Sequence, residues 1–131
     1  MLAFVIDQLL KACDLEALLF YDRNQISLEV GLTRFFRFWR DQAAAELQAL
    51  VRSGLSQEMI LHCLQWTNTL GHWEHLLSKY SEEERAIRKM LGITSIFYAL
   101  FFWCEGGFKQ SPEHMATCVS NVFTSPLQEP M

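Results

Sequence analysis

Residues 62–77, HCLQWTNTLGHWEHLL, place three histidines, a cysteine and two tryptophans within sixteen positions. Imidazole and thiolate are the groups that ligate zinc and haem iron, so this stretch is the first candidate for chemistry. Zinc needs three or four ligands converging on one point, and haem needs an axial ligand in the wall of an apolar pocket. Stepping about 100° per residue along a continuous helix separates these side chains. Met59, Trp66, Trp73 and Tyr80 recur every seven residues, and Cys63, Leu70 and Leu77 recur at the same interval. Together they form one apolar seam that faces other helices. His72 and His75 fall on the face of Asn68 and Lys79, while His62 lies at the edge of the seam. The three histidines do not converge, so no metal site and no resident cofactor is expected. Only His62 retains a claim as an axial ligand. The run Thr67-Asn68-Thr69 with Gly71 is a weak helical stretch, and a break there would undo this separation.

Residues 33–42, TRFFRFWRDQ, interleave Arg34, Arg37 and Arg40 with four aromatic rings. Arginines among stacking rings can hold single-stranded nucleic acid. On a helix, however, the arginines share a face with Asp41, and Arg37–Asp41 is an i,i+4 pair. The rings spread over a broad opposite arc, wider than one neighbouring helix needs. Residues 53–64 have the shape of a helix-turn-helix turn around Gly54, yet Leu55 to Ser78 contains no Lys or Arg to reach phosphate or guanine. A net charge of −4 points the same way, against nucleic acid as the partner.

Residues 90–104, MLGITSIFYALFFWC, carry no charge. A membrane span needs about 20 such residues, so the expectation is a helix buried on every side and no membrane span. Gly92, Ser95 and Ala99 form a ridge of small residues that admits another helix. Phe101, Phe102 and Trp103 are consecutive and must point in different directions, more than a small bundle covers. No glycine-rich phosphate loop, GxSxG elbow, HExxH or repeated ExxH pattern occurs, so the chain does not read as an enzyme. The four cysteines are widely spaced and never CxxC, and the opening Met1–Asp7 has no basic n-region. Free buried thiols, a cytoplasmic setting and no export signal are expected.

These side chains need elements to position them. Spacings of three and four recur, no segment alternates with period two, and the first proline is Pro112, so the fold class is all-α. The first helix is expected over about Leu2 to Phe20, with YDRNQ, residues 21–25, as the following loop. Ser27 caps a long segment to about Arg52, which Ser53-Gly54 ends. Ser56 caps a third helix reaching towards Tyr80. Ser81 and Glu84 form a capping box for a fourth helix, stopped after Glu105 by Gly106-Gly107. Ser111-Pro112-Glu113 opens a short C-terminal helix. The expected architecture is an antiparallel bundle of four long helices plus that short helix, a single domain over residues 1–124, with 125–131 as a flexible tail.

At 131 residues, the chain is half hydrophobic and 13% aromatic against 20% charged, which is apolar for a small domain. That surplus without a catalytic constellation points to a protein–protein interaction module: an adaptor, chaperone or regulator working as a homodimer or with another protein. Phe36, Trp39, Phe101, Phe102 and Trp103 are the expected partner-binding residues, because aromatics dominate interface hot spots. The competing expectation is a sensor holding an apolar small ligand, a fatty acid or haem, within the bundle.

Overall fold

The computed structural model describes residues 2–13, 27–67 and 80–124; within these the chain forms six helices and no strand. The all-α expectation holds. The expected helical stretch from Asp14 to Phe20, the loop at residues 21–25, the segment carrying Asn68, Gly71, His72, Trp73 and His75, and the tail from Ser125 lie outside the described residues.

Helix α1 (Leu2–Ala12) buries Ile6, Leu10 and the following Cys13, a stripe at i, i+4, i+7. Helix α2 (Leu28–Asp41) starts at Ser27, whose Oγ accepts the Val30 N–H at 3.1 Å. Its core face is Leu32, Phe35, Phe36 and Trp39. The expected continuous helix to Arg52 is instead two helices. The backbone leaves helical geometry at Gln42 and Ala43, and α3 runs Ala44–Arg52. Neither glycine nor proline marks this break. Phe35, Trp39, Ala43 and Leu47 step by four, and each such step drifts about 40° round a 3.6-residue helix. The break resets that drift, so that all four stay buried while the chain turns from the helix over Pro112–Thr124 towards the one over Glu82–Glu105.

Gly54, with φ +74°, closes α3: the Leu55 N–H reaches the Leu50 carbonyl at 2.9 Å, the 6→1 bond of a Schellman end. Helix α4 (Ser56–Thr67) follows, with Ser56 inside its first turn rather than capping it. Helix α5 (Glu82–Glu105) is the longest of the described helices, and the Ser81 Oγ accepts the Glu84 N–H at 3.2 Å, one half of the expected capping box, while the Glu84 carboxylate pairs with Arg88. At its end Gly107 takes φ +84° and the Phe108 N–H reaches the Trp103 carbonyl at 2.9 Å. Helix α6 (Pro112–Thr124) begins on Ser111, whose Oγ accepts the His114 N–H.

Helix α2 packs along α6, α5 against α3 and α4, and α1 against α4. Edge-to-face rings knit the centre: Phe35 to Phe97 at 5.6 Å, Phe36 to Trp103 at 5.5 Å, and Trp103 to Phe108 at 5.0 Å. Met59 and Cys63 of the expected seam are buried, and Trp66 packs partly buried against the core. Among the described residues α5 is the one helix long and apolar enough, by length and composition, to cross a membrane, and one of its faces forms the core of this fold.

Candidate interaction surface

Phe36, Trp39, Phe101 and Trp103 lie inside the core of a single chain. Of the five residues expected to meet a partner, only Phe102 is exposed, at 72%. The reason is angular. Phe101 and Trp103 flank Phe102 at about 100° on either side. One points to Phe97 and the other to Phe36, which leaves Phe102 on the outside.

The outer face of α5 continues from Phe102 through Tyr98 (50% exposed) and Leu91 (57%) to Ile87 (45%), with Met90 beside it. The residues from Met90 to Cys104 are therefore not buried all round. They form a core face, Ile93, Ile96, Phe97, Leu100, Phe101, Trp103 and Cys104, backed by an exposed apolar face. Sequence reasoning missed Ile87, Leu91 and Tyr98 as surface residues. Their spacing of four, seven and four was visible, but nothing local distinguishes the inner stripe of an apolar helix from the outer one. Tyr98 is held by its ring edge against Phe101 at 6.2 Å and by its hydroxyl, which donates to Gln57 Oε1 at 3.4 Å.

Beside this face runs an apolar groove of about 360 Å³ between α5 and α6. Ser95, Ala99 and Phe102 form one wall, and Met115, Val119 and Val122 the other. Of the small-residue ridge, Ser95 and Ala99 thus line a groove, and a Cβ at Gly92 would meet open space. Cys118 and His114 stand at the groove with Sγ and Nε2 3.5 Å apart. Among the described residues none bonds the other His114 ring nitrogen.

The remaining candidates resolve into structural contacts. The His62 Nε2 is 2.6 Å from Asp7 Oδ1, which ties α4 to α1. Among the described residues no group of three or more His, Cys, Asp or Glu is placed to hold a metal ion. Arg37 does not pair with Asp41 as the helical spacing suggests. It reaches across to Glu113 on α6, and Asp41 is gripped by Arg40 at 2.6 Å. The Arg40 hydrogen bond holds the Asp41 carboxyl below its ordinary range. Phe35, Phe36 and Trp39 face inward, so of the four rings of this stretch only Phe38, itself partly buried against the core, stands near the arginines of α2. Burial raises the Cys63 thiol well above its ordinary range, and the nearby Cys13 adds to the effect.

Comparison with protein-family models, with curated proteins and with solved structures finds no match to this chain.

Proposed function

We propose that this chain is a non-enzymatic protein–protein interaction module, an adaptor, chaperone or regulator, and that it binds through the outer face of α5. The carrying observation is the exposed stripe of Ile87, Leu91, Tyr98 and Phe102, interrupted midway by Thr94 and Ser95, on a helix whose opposite face is core. Large exposed apolar patches on small domains mark interaction sites. The surface therefore centres on Phe102 and extends towards the start of α5, instead of comprising the five residues expected from composition. An antiparallel bundle and a cytoplasmic setting, in which the buried thiols stay reduced, belong to the same reading.

The test is a comparison of Tyr98→Glu and Phe102→Glu with the parent chain. Both variants should keep the parental melting temperature and lose association. Unfolding of either variant, or unchanged association in both, defeats the reading.

A second reading, a sensor for an apolar ligand, is favoured by the α5–α6 groove. Its volume lies within the range of small-molecule sites. Native mass spectrometry of freshly purified protein checks it: a stoichiometric bound lipid supports this reading, and a bare chain mass counts against it.

A further inference from the structure

We infer that the occupant of the α5 face is a second copy of this chain, docked antiparallel about a two-fold axis that passes between Thr94 and Ser95. This rests on the interaction reading above and names its partner. The argument begins with symmetry. In a two-fold interface the same patch meets itself, so if residue i touches residue j, then j touches i. The stripe Ile87, Leu91, Tyr98, Phe102 has spacings of four, seven and four, which read the same in both directions. An axis at its midpoint sets Ile87 of one copy over Phe102 of the other and Leu91 over Tyr98. Every aromatic ring then meets an aliphatic side chain. The small residues Thr94 and Ser95 fall at the crossing point, where two backbones come closest.

The angular placement fits. The four residues lie within about 60° of one another on a helical wheel, which is the width of one helix–helix seam. The core residues of α5 occupy the opposite side. In this register Glu105 of one copy comes level with Glu84 of the other, whose carboxylate is already paired with Arg88 at 3.1 Å, so charge neither drives nor forbids the contact.

The area is adequate. A whole aromatic side chain offers roughly 150–250 Å², so Phe102 and Tyr98 at their observed exposures expose about 250 Å² between them. Adding the half-exposed Ile87, Met90 and Leu91 brings the patch to about 500 Å² per copy, at the upper end for a monomer surface. Two such patches reach the ~1,000 Å² that separates specific interfaces from chance contacts.

The test uses the full chain. Light scattering across a concentration series should show a dimer, and Phe102→Glu or Tyr98→Glu should raise its dissociation constant by about tenfold or more without lowering the melting temperature. Geometry is read by disulfide trapping in a Cys118→Ser background, which removes the exposed thiol. Ser95→Cys lies beside the axis and should cross-link copy to copy. Ile87→Cys alone should not, since its two copies stand about 20 Å apart along the seam. The double variant Ile87→Cys/Phe102→Cys should cross-link again. A chain that stays monomeric, or a dimer that Ile87→Cys traps and Ser95→Cys does not, overturns the inference. A monomer that binds another protein, or lipid vesicles, through Tyr98 and Phe102 also overturns it; the former outcome leaves the interaction reading standing. Unfolding of either glutamate variant overturns the two together.

Discussion

Replacing Trp39 and Trp103 separately by phenylalanine gives a matched test of whether these rings are core. Both side chains are fully buried, and both sit in the same aromatic cluster. They differ at one atom. The Trp103 Nε1 donates to the Gln110 carbonyl at 2.9 Å, whereas the Trp39 Nε1 has no acceptor among the described residues. Either replacement removes the same part of an indole, at a cost of about 1–2 kcal/mol in burial and packing. At Trp103 a net hydrogen bond of about 1 kcal/mol is lost as well, giving a total loss of about 2–3 kcal/mol. At Trp39 the replacement removes an unpaired buried donor, whose burial costs about 1–3 kcal/mol, so the two effects roughly cancel. The expected gap between the variants is about 2 kcal/mol. For a domain between the 100- and 150-residue classes that corresponds to about 8 °C in melting temperature. Thermal melts followed by circular dichroism read it directly, with urea titration to confirm an unchanged m-value. Trp39→Phe melting as low as Trp103→Phe would refute the reasoning, because the Trp39 donor would then be paired. If both variants melted like the parent, neither ring could be core.

Three further outcomes follow from other contacts in the fold. Cys118 is exposed and should react with a thiol reagent in the folded chain, whereas Cys13, Cys63 and Cys104 should react only on unfolding. Because burial raises the Cys63 thiol, the folded chain keeps that proton above pH 9.0, where the unfolded chain releases it. Stability should therefore be unaffected by this group below that pH and fall as pH rises beyond it, and Cys63→Ala should flatten the alkaline slope. Finally, a double-mutant cycle on Arg37 and Glu113, both about half exposed, should return no more than about 1 kcal/mol and shrink with added salt. A larger, salt-insensitive coupling would mean that the pair is desolvated.

Most local signals in the sequence held where the physics is local, although Ser56 lies inside the first turn of α4 instead of capping it. Ser27, Ser81 and Ser111 cap as their spacing indicates, and Gly54 and Gly107 take the left-handed conformation that ends α3 and α5. The other misses depended on distant partners. The break at Gln42–Ala43 has no breaker residue, because it answers a drift in the core face that matters only once α5 and α6 are in place. Arg37 has a carboxylate four residues on, yet its partner is supplied by α6. Phe101, Phe102 and Trp103 must diverge on any helix. Which of them points outward is decided by Phe36 and Phe97, and the former arrives from another part of the chain.

The apolar surplus in the composition divides accordingly. Most of it is spent within one chain, where α2 and α5 supply the rings that interlock at the centre. Of what remains exposed, Phe4, Val5, Val30, Leu61 and Val122 are scattered over α1, α2, α4 and α6, whereas Ile87, Met90, Leu91, Tyr98 and Phe102 share one helix, and that alignment is what gives the α5 face its meaning. Scattered exposed leucines are ordinary on any domain, whereas a stripe at constant helical angle presents one surface to one partner. Because Phe102 projects away from the core, a polar residue there costs the monomer little and any assembly much. At Trp103, one position on, the opposite holds: the ring is buried and hydrogen-bonded, so its loss is felt first in folding. On the proposed reading, folding and association fall to adjacent residues of one helix, and the two can be perturbed separately.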